Sequence, residues 1–121
     1  MSYRHYHQRD PINNFFPLPN EIFSLALSFG EIAVYAYLMY REDRKSFQCY
    51  PSYSTIGRAI GMSRNTVAKY VKDLEGKQFI TIEPTRIHTR DGRIQNGNLR
   101  YTIRPIQDAI EYFHERQGLR H

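Results

Sequence analysis

The sequence predicts a small α+β domain, mainly helical, with one long β-hairpin and a closing C-terminal helix. Three observations carry this. Apolar residues recur with helical spacing from Ile22 to Leu74. The pattern then switches to strict alternation at Leu99, Tyr101 and Ile103, with Phe79, Ile80 and Ile82 as a partner strand. Between those strands lie two turn dipeptides, Asp91-Gly92 and Asn96-Gly97, either of which can form the hairpin tip.

The elements follow in order. Residues 1–19 contain Pro11, Pro17 and Pro19 and read as an extended or flexible arm. A short helix over 20–28 can start at Asn20, with Ile22, Phe23, Ala26 and Leu27 on one side. A helix over 31–45 is headed by the capping box Ser28-Phe29-Gly30-Glu31, with Leu27 and Ile32 placed as a staple. Its charged run Arg41-Glu42-Asp43-Arg44-Lys45 marks a solvated end. Phe47–Tyr50 is a candidate strand, closed by Pro51. Ser52 caps a helix over 53–60 whose apolar face is Tyr53, Ile56, Ala59 and Ile60, and Gly61 stops it. Ser63 caps a helix over 64–76 with Val67, Tyr70, Val71 and Leu74 on one face. The hairpin spans roughly 79–104. Pro105 opens a helix over 105–117 with the stripe Ile106, Ala109, Ile110 and Phe113, and Gly118 is its expected stop.

Composition narrows the function. At 121 residues, 40% apolar and 24% charged, the chain suits one globular core. No stretch approaches the roughly 20 apolar residues that span a bilayer. The start MSYRHYHQRD lacks the apolar run of a signal peptide. A single cysteine, Cys49, excludes a disulfide framework, fits a cytosolic protein, and is expected to be buried. The formal net charge is +5. Residues 58–104 hold ten lysines and arginines against four acids, so all of the positive excess lies in that stretch. This points to a polyanionic partner, or more plainly to a solvated basic surface.

The two helices joined by Gly61-Met62-Ser63 have the makings of a helix-turn-helix. That motif needs a small residue where the helices cross, here Gly57, and a glycine in the turn, here Gly61. Ile56, Ile60, Met62, Val67 and Tyr70 fall at the spacings of the wedge between the helices. The segment from Pro51 to Ile80, above all Ser63-Arg64-Asn65-Thr66-Val67 and Leu74-Glu75-Gly76-Lys77-Gln78-Phe79-Ile80, resembles the winged helix-turn-helix DNA-binding domains of bacterial regulators and of plasmid or phage replication initiators. The resemblance extends over residues 20–104, the expected domain, and leaves residues 105–121 as a C-terminal helix and tail. It implies that the second helix of the motif enters a major groove and that the hairpin wing touches flanking backbone. Gln78 departs from the family, which often has glycine there, and is expected to alter the turn into the wing.

Helical geometry identifies the free face of helix 64–76. With Val67, Val71 and Leu74 buried, Asn65, Lys69 and Lys72 point away, flanked by Thr66 and Ala68, with Arg64 at the open end. Arginine and lysine suit guanine, asparagine suits adenine, and Ala68 or the Thr66 methyl suits a thymine methyl. The Ser63 hydroxyl and first-turn amides can hold a phosphate. Tyr53, Ser54 and Thr55 are candidate backbone contacts, with a core role for Tyr53 left open. On the wing, Arg86, His88, Arg90 and Arg93 are candidates, with Arg90 and Arg93 nearest a tip at Asp91-Gly92. For Arg100 and Arg104 the competing role is that of edge charges that deter aggregation.

His5 and His7 lack accompanying ligands, and no Gly-rich phosphate loop or catalytic spacing is present. The expectation is therefore a non-enzymatic protein without cofactor or metal, cytoplasmic and nucleoid-associated in a bacterium, with double-stranded DNA as partner and no membrane. The aromatic arm is expected to pack on the domain or a partner. The first expectation is sequence-specific DNA binding as a transcriptional regulator; the alternatives are the DNA-binding domain of a plasmid or phage replication initiator and a protein-interaction winged helix that does not bind DNA. The final helix can serve a homodimer or cover the domain's own core.

Overall fold

A computed structural model describes residues 15–118. The arm expected over 1–19 lies outside the described residues as far as position 14. Residues 15–19 have no regular structure, and Phe16 and Leu18 rest against the core. Asn20–Ser24 form a 3-10 turn, not the α-helix expected over 20–28, and Pro19 precedes it without a side-chain cap. Leu25 ends it and Ala26 takes φ +58°, so the chain leaves helical geometry before a second turn forms.

Helix α1 (Phe29–Arg41) carries the expected capping box. The Glu31 amide donates to Ser28 Oγ at 3.2 Å and the Ser28 amide donates to Glu31 Oε1 at 2.8 Å. The helix stops short of 45 because Glu42 turns extended, and the Asp43 carboxylate then accepts from the amides of Lys45 and Ser46. The charged run is a turn, not a helix end. Glu42 is also not solvated: its side chain is 4% exposed and its Oε2 meets no partner. Burial pushes its carboxyl up from the ordinary range, against the opposing pull of Arg44 at 3.7 Å.

Two short helices follow. Ser52 caps α2 (Tyr53–Ile60), accepting from the Thr55 amide, and Ser63 caps α3 (Arg64–Gly76), accepting from the Thr66 amide. Gly61 closes α2 at φ +76°, and the Gly57 carbonyl accepts from the amides of Gly61 and Met62 at 2.8 and 2.9 Å. A Cβ on Gly57 would collide with the Met62 carbonyl oxygen, so only glycine lets the turn fold back this closely. Ile56, Val67, Val71 and Leu74 are fully buried with Val34, Tyr35 and Leu38 of α1. Tyr70 lies directly over Gly30, which lets α1 and α3 approach.

The exit from α3 explains Gln78. It takes φ +71°, its amide donates to Glu75 O, and the Phe79 amide donates to Leu74 O. These are the paired bonds of a Schellman end, whose left-handed position favours glycine. The fold is intact around Gln78, whose Oε1 accepts a hydrogen bond from Arg104.

Strands β2 (Ile80–Glu83) and β5 (Arg100–Ile103) pair antiparallel, Ile80 opposite Ile103 and Glu83 opposite Arg100. The candidate strand at 47–50 is real but short: β1 (Gln48–Cys49) joins the other edge of β5. Cys49 is buried, as expected, and burial pushes its thiol up to about 11. The hairpin is not one continuous ladder. Strands β3 (Arg86–His88) and β4 (Ile94–Asn96) form a separate two-stranded ribbon beyond Pro84-Thr85, and Phe79 lies just outside β2. Helix α4 (Ile106–Gly118) turns Ile106, Ala109, Ile110 and Phe113 onto the domain's own core, the second of its two expected roles.

One ion pair ties α1 to the end of α3. Lys77 Nζ lies 2.8 Å from Glu31 Oε2, and the Glu31 side chain is 5% exposed. Burial raises the carboxyl, but bonds from Lys77 and Ser28 outweigh it and leave its pKa below the usual 4.5. A depressed carboxyl stabilises the fold fully above its unfolded value, and that stability is lost as pH falls through the folded value. Glutamine can still fill the capping box, so Glu31→Gln isolates the charge. It should cost about 1–2 kcal/mol at pH 7 in urea unfolding, with the gap to the wild type closing below pH 4.5. A gap that is constant with pH would contradict the pairing. In the same assay Gly57→Ala should cost about 1–3 kcal/mol. Gly76→Ala, which meets open space, should instead be neutral or stabilising by up to about 1 kcal/mol.

Candidate nucleic-acid interface

Helix α3 turns one face into the core and the other to solvent. Arg64, Asn65, Lys69 and Lys72 are exposed, and Thr66 and Ala68 are half-buried beside them. The Lys69 ammonium sits 5.5 Å from the Tyr70 ring centroid, which props its stem along the helix. Ser63 is exposed but engaged: its hydroxyl donates to Thr66 Oγ1 at 2.9 Å as well as capping. A phosphate at this end would therefore meet the first-turn amides and Arg64 more readily than the Ser63 proton.

Arg64 borders two open hollows. One, at the helix-turn-helix bend, is lined also by Ser54, Gly57, Arg58, Met62 and Ser63. The other runs between Ser52, Tyr53 and the wing base at Gly97-Asn98-Leu99. Tyr53 is half-buried and packs on the core, so its ring serves the fold whatever its hydroxyl touches. Thr55 turns its hydroxyl to its own cap, 2.9 Å from Ser52 Oγ. Ser54 lines the bend hollow alongside Arg64. Sequence reasoning counts Arg58 only as charge. It is exposed in this hollow, a position that follows from its place one residue after the crossing glycine. Asn98 carries no sequence signal either: its amide donates to Tyr50 O at 3.1 Å and ties the wing base to the end of β1.

The wing tip is settled by its turn. The Thr89 amide donates to Arg93 O at 2.9 Å, the Gly92 amide to Thr89 O at 3.1 Å, and Gly92 has φ +83°. Asp91-Gly92 is the tip, and Asn96-Gly97 sits at the base, with the Gly97 amide donating to Thr85 O. Pairing of Arg86 with Asn96 and of His88 with Ile94 puts these four on one face, and Ile87 with Gln95 on the other. Arg86, His88, Arg90 and Arg93 are all exposed.

Ion pairing divides the basic residues. Arg100 meets Glu83 at 2.8 Å and Arg104 meets Asp108 at 3.1 Å, so both serve the sheet and α4. Arg93 meets Asp91 at 3.3 Å, but both are exposed and the pair is weak. Arg58, Arg64, Lys69, Lys72, Arg86 and Arg90 form no ion pair among the described residues. Arg41, Lys45 and Arg116 are also without an ion pair, so six of the nine such cations among the described residues lie on α2–α3 and the wing. Asp73 and Glu75 lie further along α3 and form no pair with these cations.

Among the described residues no cluster of histidine, cysteine or carboxylates can hold a metal ion, and His5 and His7 lie outside them. No described helix is long and apolar enough to cross a membrane. Residues 25–80 match the family model of a helix-turn-helix domain. No curated protein sequence matches the chain significantly. Among solved structures it is similar to a possible transcriptional regulator from Methanosarcina mazei Go1, at 17% identity and a TM-score of 0.51. That match covers 81% of this chain and 76% of the other, and at such identity the likeness is one of fold. The glycine-crossed helix pair and the hairpin that follows it give this chain a winged helix-turn-helix fold, and residues 25–80 within it match a helix-turn-helix domain.

Proposed function

We propose that this chain binds double-stranded DNA as a transcriptional regulator, with α3 reading the major groove and the wing gripping flanking backbone. The observation that carries the reading is the set of exposed, unpaired cations shared by α3 and the wing, beside Asn65 on the open face. Like charges left uncompensated together create a positive potential that attracts a polyanion. The fold this chain shares with a possible transcriptional regulator from Methanosarcina mazei Go1 supports the regulatory role. The protein acts by binding, with no catalytic step.

In this reading Arg64, Asn65, Lys69 and Lys72 face base edges, with Thr66 and Ala68 close enough for a thymine methyl. Arg58, Ser54 and the first-turn amides of α3 meet one phosphate run, and Arg86, Arg90 and Arg93 meet another. His88 shares the Arg86 face of the wing and joins that contact.

Selection of bound sequences from a random duplex pool tests the proposal. An enriched motif of a few base pairs per protomer supports it, and no enrichment over the starting pool overturns it. On the selected site, Arg64→Ala and Lys69→Ala should each weaken binding by about 1–3 kcal/mol. Arg90→Ala should weaken all sequences alike and lower the salt slope by about one contact, measured by fluorescence anisotropy over a salt series.

A further inference from the structure

A hollow of about 420 Å³ opens between α1, the turn that follows it and the junction of β5 with α4. Its walls include Pro17, Tyr35, Met39, Phe47, Ile103 and Ile106, so they are largely apolar and aromatic. The volume falls within the range of roughly 300–1,000 Å³ usual for small-molecule sites. Helix α3 and the ribbon of the wing take no part in its lining.

Three charged residues also line the hollow: Glu42, Arg44 and Arg104. Arg104 is already committed, to Asp108 at 3.1 Å and to the Gln78 side chain. Arg44 is half-exposed and reaches Glu42 Oε1 only at 3.7 Å, too long for a hydrogen bond. Glu42 differs from both. Its side chain is 4% exposed and its Oε2 has no hydrogen-bond partner. A buried acid left so is costly, and burial has pushed its pKa up. The terminal torsion of a glutamate is soft, so either oxygen can turn to a donor in the hollow.

The wall beside Glu42 is strained. Phe47 has φ +60°, a left-handed conformation that a bulky side chain rarely adopts. Its amide donates to Asp43 O at 2.8 Å and its carbonyl accepts from the Ile103 amide at 2.9 Å, which holds it there. Folding nevertheless leaves Phe47 53% exposed. A strained residue half bare at the wall of a hollow is one that a ligand would cover.

The lining selects the occupant. Apolar walls favour an apolar body. The buried carboxylate needs a donor, and a positive charge on that donor also offsets the cost of ionising it. One water, about 30 Å³ in the liquid, would satisfy Glu42 and leave the walls uncovered. An anion would be repelled by the same carboxylate. We infer that this hollow binds a small apolar amine, with its ammonium on the Glu42 carboxylate and its body against Met39, Phe47 and Ile106. The inference goes beyond DNA binding and does not depend on it.

Methyl NMR of the full chain, without DNA, tests it. The probes are small primary amines on aromatic and branched aliphatic bodies, phenethylamine among them, each paired with the carboxylate of the same body. The amines should shift the Met39, Ile103 and Ile106 methyls saturably at millimolar concentration, and the carboxylates should not. Glu42→Gln keeps the shape and removes the charge. It should melt no lower than the wild type and weaken the best amine at least about tenfold. Phe47→Gly suits the left-handed backbone, so it should fold, while the lost wall weakens the same amine several-fold. No saturable shift by any amine, equal shifts by the carboxylates, or unchanged affinity in Glu42→Gln would each overturn the inference. So would nuclear Overhauser contacts between those methyls and residues 1–14 that no amine displaces, which would give the hollow to the chain's own N-terminal segment. Should Glu42→Gln fail to fold, Phe47→Gly decides, and unchanged amine affinity there overturns the site.

Discussion

The structure depends on how closely α2 and α3 cross. Gly57 has no side chain, so its carbonyl can take both amides of the turn while the Met62 carbonyl sits where a Cβ would be. That contact sets the angle of α3. The buried residues Val67, Val71 and Leu74 then fix its rotation, and with it the direction in which Asn65 and Lys69 point. A base-reading surface is thus a by-product of how the opposite face packs. Lys77 on Glu31 and Tyr70 over Gly30 hold the same helix to α1, so its two ends are fixed independently.

The wing is positioned by a different device. Strands β2 and β5 belong to the core sheet, with Ile80 and Tyr101 fully buried. Past Pro84 the chain leaves that sheet, and β3 and β4 continue as a ribbon whose every residue is exposed. The ribbon buries almost nothing, Ile87 and Ile94 included, and its basic residues are open to a ligand. The arginines at the sheet end, Arg100 and Arg104, find acids on neighbouring elements.

Local signals were legible in the sequence and distant ones were not. Ser28, Ser52 and Ser63 marked three helix starts, because an N-cap is a contact within one turn. Gly61 marked its stop for the same reason. The free face of α3 followed from periodicity alone. The segment after Asn20 misled because four apolar residues at helical spacing cannot show that Ala26 will turn left-handed. The run Arg41–Lys45 misled because charge indicates solvent, whereas Glu42 is buried and lines a hollow with Pro17, Tyr35, Ile103 and Ile106, residues that only the tertiary fold brings together. The sharing of arginines between ion pairs and open surface depends on contacts such as Arg100 with Glu83, which strand register creates. Gln78 was recognised as a departure, and its left-handed backbone explains why glycine suits the position.

The central claim is that one continuous surface, made by the open face of α3 and the wing, meets the duplex. Amide chemical shifts of the full chain during titration with its selected duplex test this most directly. The claim requires the largest shifts within residues 63–72 and 86–93, with the outer face of α1 nearly silent at constant oligomeric state. Shifts concentrated on α1 or α4, with Asn65 and Lys69 unmoved, would contradict it.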